Sequence, residues 1–205
     1  MKVAFAFVCL PALPLVVLAC AERQAPARDS ATTVGAPIRG TPPHVAADVH
    51  FMQGMIGHHG QAITMAAMAP THGASDRIKL FAKKVDLSQR DEIDLMSRWL
   101  RDYDERAPNP DEPMAMPMPG MLTADQMRQL DRARGTEFDR LFLTFMIQHH
   151  EGALQMVADL FATPGAGQAP DLFQFATDVD NDQRPEIHVM QQMLDTYPAS
   201  GSPSR

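Results

Sequence analysis

Two stretches of the sequence resemble each other and decide the fold. The first reads Phe51-Met-Gln-Gly-Met-Ile-Gly-His-His-Gly-Gln-Ala-Ile-Thr-Met65 and the second reads Phe142-Leu-Thr-Phe-Met-Ile-Gln-His-His-Glu-Gly-Ala-Leu-Gln-Met156. Phenylalanine, methionine, isoleucine, both histidines, alanine and the last methionine recur at the same offsets. A further pair of matching blocks follows in the same order, at residues 81–96 and 175–190. The sequence therefore predicts a duplicated two-helix unit.

Apolar residues in these blocks recur every three or four positions, which is typical of helices. We predict four long helices, over about 46–68, from about 75 to the prolines at 108 and 110, from Thr123 through Gly135 to about 162, and over about 170–197. Thr123 and Gln126 have the spacing of a capping box. No strand pattern competes, so the predicted fold class is all-α, a four-helix bundle built from two repeated helical hairpins.

The N-terminus predicts export to the bacterial cell envelope or periplasm. Residues 1–20 have the pattern of a lipoprotein-type signal peptide, and Val17-Leu18-Ala19-Cys20 resembles a lipobox, in which the cysteine is lipidated. Ordinary signal cleavage nearby, with Cys20 incidental, is the alternative. The predicted segments after it are a flexible tether (21–43), a first helical hairpin repeat (44–106), a Met/Pro-rich linker (107–122), a second helical hairpin repeat (123–198) and a disordered tail (199–205).

Composition excludes several classes of function. The 205 residues carry 18 Lys and Arg against 25 Asp and Glu, a net charge of −7, which argues against a nucleic-acid partner. Only 2 cysteines are present, too few for a disulfide framework or a cysteine-based zinc site. The 15 methionines are the compositional feature that needs an explanation.

Histidine and methionine share one face of the first and third predicted helices, because steps of three and four residues stay aligned. Imidazole and thioether together suit copper, especially Cu(I), although another transition metal remains an alternative. The predicted metal ligands are Met55, His58, His59, Met65, Met146, His149, His150 and Met156.

Polar residues on the second and fourth helices are predicted to serve this site. Buried polar groups need partners, and the histidines are the obvious ones. The residues that would orient the histidine rings, or replace a ligand, are Gln89, Glu92, Met96, Gln183, Glu186 and Met190. The linker methionines either capture copper or only pack on the surface; they are Met114, Met116, Met118 and Met121.

Four histidines occur singly: His44, His50, His72 and His188. We expect them to face solvent or to be incidental, with His50 the first candidate to join a site. Because metal binding requires neutral imidazole, we also expect metal release as the pH falls through the usual histidine range.

Two other functions remain open on the residues alone. A metal-free interaction module would use the histidines as core residues that hydrogen-bond to glutamates, with methionine filling gaps. A metal-dependent oxidoreductase would use the same cluster, but no nucleophile or acid–base constellation is recognisable outside it. A ferritin-like di-iron site needs Glu-x-x-His on two helices, and neither repeat has that pattern.

Several motifs resemble one family, catalogued as domain of unknown function 305. They are Phe51-Met-Gln-Gly-Met-Ile-Gly-His-His, Gln89-x-x-Glu-Ile-x-x-Met-x-x-Trp-Leu100, Pro119-Gly-Met121 and Phe138-Asp-Arg-Leu-Phe-Leu-x-x-Met-Ile-x-His-His150. The resemblance implies a ferritin-like helical bundle and, since the family includes CopM-like exported copper-binding proteins linked to copper resistance, copper at the histidine and methionine positions above. Pro185 departs from the repeat, where Asp91 stands, and is expected to kink the fourth helix.

The resulting prediction is an exported protein that sequesters or delivers copper through histidine and methionine ligands. Its predicted partners are the metal ion, the membrane through a lipid anchor at Cys20, and a copper-handling protein.

Overall fold

A computed structural model describes residues 43–111 and 118–197, which form five α-helices and, within those ranges, no strand. The helices are α1 (Ala46–Met68), α2 (Asp76–Asp102), α3 (Ala124–Arg132), α4 (Gly135–Ala162) and α5 (Pro170–Leu194). The all-α prediction is confirmed. The predicted signal peptide with Cys20, nearly all of the tether, Met114, Met116 and the C-terminal tail lie outside the described residues.

The predicted third helix is wrong in one respect, because the chain forms two helices there. It leaves the helical conformation at Ala133 and Arg134, and Gly135 then takes a φ of +56°. Glycine adopts this left-handed conformation at little cost. The Gly135 N–H donates a hydrogen bond to the carbonyl of His72, 2.9 Å away. A contact with the turn between α1 and α2 therefore fixes the break. The predicted capping box of Thr123 and Gln126 is present at the start of α3.

The long helices pack in sequence order. Helix α1 lies against α2, α4 lies against α5, and α1 contacts α4. Helix α5 runs without interruption through Pro185. Within the described residues, no helix is both long and apolar enough to cross a membrane.

Two apolar clusters fill the interior. One contains Met65 from the end of α1 together with Met146 from the first half of α4, and the other contains Met55 and Met156. This pairing of opposite helix ends means that α1 and α4 run antiparallel. The two histidine pairs lie between these methionines on each helix, so a polar layer separates the two apolar clusters.

The connection between α2 and α3 lies directly on α1 and α4 in the parts that the structure describes. A Cβ atom added to Gly60 would overlap the backbone of Pro110, and one added to Gly152 would overlap that of Pro119 and Gly120. The Gln61 carboxamide forms two hydrogen bonds with the backbone of the same segment. Its Oε1 accepts from the Leu122 N–H at 2.7 Å, and its Nε2 donates to the Leu122 carbonyl at 3.1 Å. Helical glycines are therefore required here for close backbone approach.

Replacing Gly152 with alanine tests this arrangement. The new methyl group meets backbone atoms that have little freedom to move, so we expect a loss of about 1–3 kcal/mol in the free energy of unfolding. Gly54→Ala is the matched control, because its methyl group meets the flexible end of the Met118 side chain, 2.6 Å from the added Cβ. Urea unfolding of both variants measures the difference. Equal stability of the two variants would contradict the close packing of the connection.

Candidate metal centre

Four histidines meet in the interior where α1 crosses α4, and all four are buried. The rings of His58 and His149 face each other, with centroids 3.7 Å apart and planes 39° apart. Within each consecutive pair the centroids are 6.4 Å apart at 57°, in α1 and in α4 alike. The two sequence copies therefore place their histidines with the same local geometry.

The outer histidine of each pair is held by a glutamate. His59 Nε2 lies 2.5 Å from Glu92 Oε2 on α2, and His150 Nε2 lies 3.0 Å from Glu186 Oε2 on α5. Each glutamate thus contacts one histidine of the pair on the neighbouring helix. Both pairs form although Pro185 directly precedes Glu186.

Glu186 has a further partner that the sequence did not indicate. The Lys84 ammonium lies 3.3 Å from its Oε1. Burial alone would raise the pKa of Glu186, but the hydrogen bond and charge of His150 together with Lys84 outweigh burial, and its pKa lies below the usual value. In its neutral form, His150 donates from Nε2 to this ionised carboxylate and keeps a lone pair on Nδ1.

Within the part of the chain that the structure describes, the inner histidines, His58 and His149, together have fewer hydrogen-bond partners than the outer ones. His58 Nε2 donates to the Pro119 carbonyl at 3.0 Å, so its Nδ1 also carries a free lone pair. In the described residues, five buried imidazole nitrogens have no hydrogen-bond partner: Nδ1 of His58, His59 and His150, and both nitrogens of His149. A buried polar atom without a partner costs about 1–3 kcal/mol, and bonding to a metal ion removes that cost. This donor set fits a metal ion.

The four histidines do not form a ready-made cluster of three or more ligands around one point within the described residues. No three His, Cys, Asp or Glu side chains in the described ranges are placed to hold one ion together. A metal bound here would draw on facing imidazoles and on sulfur. Met55 and Met146 are fully buried and lie three residues before His58 and His149, on the same helix faces.

The other predicted site residues fall in different places. Met65 and Met156 lie in opposite apolar clusters, and the buried Met96 and Met190 are also packed in these clusters. Met118 lies beside Met156 at Gly54. Met121 is half-buried.

Within the described residues, Gln89 and Gln183 make no hydrogen bond to the histidines that were expected to be their partners. Their side chains are buried, and the Oε1 atom of each lacks a hydrogen-bond partner. Both line a groove of about 740 Å³ between α2 and α5, with apolar walls that include Leu80 and Val189. The groove also reaches Glu92 and Glu186, so it leads from the surface to the residues that hold His59 and His150. Sequence reasoning missed it because the gap depends on how far apart α2 and α5 lie.

The single histidines only partly follow the prediction. His72 is buried, which contradicts the expectation, and its Nε2 donates to the Asp131 carbonyl at 2.9 Å. His44 is half-buried against Tyr103, whereas His188 is exposed and lies 2.9 Å from the Gln192 amide. His50 is exposed and lines a second hollow, at the α1–α4 edge.

Protonation of the inner histidines is opposed by their surroundings. Burial, followed by the neighbouring charge of His59, lowers the pKa of His58 to about 3. Burial and then His58 likewise lower the pKa of His149 well below the ordinary value. In the metal-free protein this pair therefore stays neutral through the usual histidine range, because the charged form would lose its hydration.

The fold and the centre define an all-helical protein with a buried cluster of four histidines, two of them held by glutamates. The sequence model of a domain of unknown function, DUF305, matches residues 48–194, and the chain belongs to this family. None of the curated proteins is significantly similar to the chain.

Solved structures with the same fold include members of this family. A DUF305 fragment from Deinococcus radiodurans is 28% identical with a TM-score of 0.65, over 75% of this chain and 99% of the fragment. CopM in its Cu(I)-bound form is 28% identical with a TM-score of 0.59, over 74% of this chain and 98% of CopM. CopM in its Cu(II)-bound form is 27% identical with a TM-score of 0.62, over 74% of this chain and 97% of CopM.

The pH dependence of stability of the metal-free protein tests the burial of the inner pair. Below pH 6.5 His58 and His149 bind protons in the unfolded chain but stay neutral in the folded protein. The free energy of unfolding therefore falls as the pH falls from about 6.5 towards 3. Each of the two histidines contributes up to about 1.4 kcal/mol per pH unit. Urea unfolding between pH 7 and pH 5, where most carboxylates stay ionised, isolates this slope. His188→Gln should keep the slope, whereas a flat profile in the unsubstituted protein contradicts neutral buried histidines.

Proposed function

We propose that this chain is an exported copper-binding protein that sequesters or delivers copper through histidine and methionine ligands. In this proposal α1, α2, α4 and α5 act as a ferritin-like four-helix bundle of two repeated hairpins. The observation that carries it is the facing pair His58 and His149, fully enclosed and with unpartnered ring nitrogens.

The protonation state of the centre favours metal binding. Imidazole binds a metal through a neutral nitrogen, and the lowered pKa values of His58 and His149 keep both rings neutral throughout the physiological range. No proton has to be expelled from these two rings before an ion binds. Hydrogen bonds from Nε2 of His58, His59 and His150 hold the rings, and the Nδ1 atom of each is buried.

The choice of copper rests on the softness of the donors and on the relatives. The helix faces that carry the histidines also carry thioethers, including Met55 and Met146, and thioether favours Cu(I) over harder ions. CopM, a solved relative at 26–28% identity, has been captured with Cu(I), with Cu(II) and with silver. Ag(I) is a soft monovalent ion like Cu(I), which fits the same ligand preference.

A metal-free interaction module is the second candidate, and one observation favours it. Glu92 and Glu186 satisfy one nitrogen each of His59 and His150, as core residues of a structural protein would. That function leaves His149 unexplained, because neither of its buried ring nitrogens has a hydrogen-bond partner among the described residues.

Anaerobic Cu(I) titration against a chromophoric chelator tests the proposal. We expect the double variant His58→Gln/His149→Gln to bind copper at the centre at least about 100-fold more weakly, since it loses both facing imidazoles. His188→Gln is the matched control, because it removes an exposed histidine remote from the centre. Circular dichroism confirms that each variant is folded. Unchanged Cu(I) affinity in a folded double variant contradicts copper binding at this centre.

The proposed lipid anchor at Cys20 is tested separately. We expect the protein produced in a bacterium with lipoprotein processing to fractionate with membranes, and Cys20→Ala to release it into the soluble envelope fraction. Mass spectrometry of the N-terminus provides the direct measurement. An unacylated mature N-terminus, or one that does not begin at Cys20, contradicts the anchor.

A further inference from the structure

A hollow of about 180 Å³ lies between the first half of α1, the second half of α4 and the end of the linker. Its lining includes one imidazole, two thioethers and one carboxylate, from His50, Met118, Met156 and Asp159. The remaining walls are largely apolar, with Phe51 and Leu160 among them. Three chain segments that are distant in sequence thus bring soft donors to one place.

The side-chain ends of Met118 and Met156 both lie close to Gly54. The position that a Cβ atom of Gly54 would take lies 3.4 Å from Met118 Sδ and 3.4 Å from Met156 Cε. The absence of a side chain at Gly54 leaves the room that the Met118 side chain occupies. His50 lies one helical turn before Gly54, on the same side of α1. The imidazole and the two methionines therefore line the same hollow.

We propose that His50, Met118 and Met156 form a binding site for one soft monovalent cation, Cu(I) or its analogue Ag(I). Two thioethers with one imidazole select a soft ion, whereas Mg²⁺ and Ca²⁺ require several oxygen ligands. Asp159 supplies a negative charge beside the bound cation. Its Oδ1 already accepts a hydrogen bond from the Gln155 amide at 2.7 Å, which holds the carboxylate in place.

This outer site is distinct from the four-histidine centre. Met156 follows His149 by seven residues and His50 precedes His58 by eight, which is about 10–12 Å along each helix. The two sites share no proposed imidazole ligand. The outer site goes beyond the function proposed above and stands whether or not His58 and His149 bind copper. It also gives Met118, on the linker, a defined role at the surface of the helices.

Counting bound ions in matched variants tests the outer site. Anaerobic titration of the purified protein with Cu(I), against a competing chelator, gives the number of tightly bound ions. We expect His50→Gln/Met118→Leu to lose one equivalent relative to the unsubstituted protein. Met127→Leu/His188→Gln is the matched control, since it removes a half-buried methionine of α3 and an exposed histidine, both outside the hollow, and it should retain every equivalent. An unchanged count in the first double variant overturns the proposal.

Methionine methyl NMR gives a residue-level readout that does not depend on a variant folding. With Ag(I) as the probe and ¹³C-methyl methionine in the unsubstituted protein, we expect the Met118 and Met156 resonances to shift together in one titration step. Shifts confined to Met55 and Met146 would overturn the outer site while supporting the histidine centre. Shifts of Met118 and Met156 with no loss of binding in His58→Gln/His149→Gln would support the outer site and contradict the function proposed for the centre.

Discussion

The face-to-face contact of His58 and His149 is the constraint on which the rest of the interior depends. Two imidazoles with centroids 3.7 Å apart and without solvent are stable only while both stay neutral. The apolar clusters on either side keep water out, and Glu92 and Glu186 hold the outer histidines in place. The same exclusion of water lowers the pKa of the inner pair, so the packing that stabilises the helices also prepares nitrogen donors.

The linker takes part in this centre through its backbone. The Pro119 carbonyl accepts the hydrogen bond from His58 Nε2, and Gly152 permits that carbonyl to lie against α4. A backbone acceptor cannot ionise, so it fixes the ring without adding charge to a buried site. The apparent symmetry of the two sequence copies ends here, since within the described residues neither ring nitrogen of His149 has a comparable hydrogen bond.

Charge also distinguishes the two halves at the surface. Each glutamate contacts one histidine, His59 for Glu92 and His150 for Glu186. Glu186 also forms an ion pair with Lys84. The groove between α2 and α5 is lined by carboxylates and by Gln89 and Gln183, while the hollow beside Gly54 is lined by two methionines and an imidazole. Two openings of different chemistry thus lie on one small helical protein. Burial and the charges of Glu92 and Glu186 raise the pKa of Asp182, which shows how close these acidic groups lie within the groove.

The sequence by itself determined the helical class, the bounds of α1 and the residues of the histidine cluster, because helical period and the recurrence of Met-Ile-x-His-His are local properties of the chain. It also indicated that glutamates on the partner helices would meet histidines. Only the tertiary structure decided which histidine received which partner, since the glutamates reach His59 and His150, and His149 has no hydrogen-bond partner among the described residues. The break before α4 and the burial of His72 likewise depend on contacts between segments distant along the chain, and no local pattern encodes such distances.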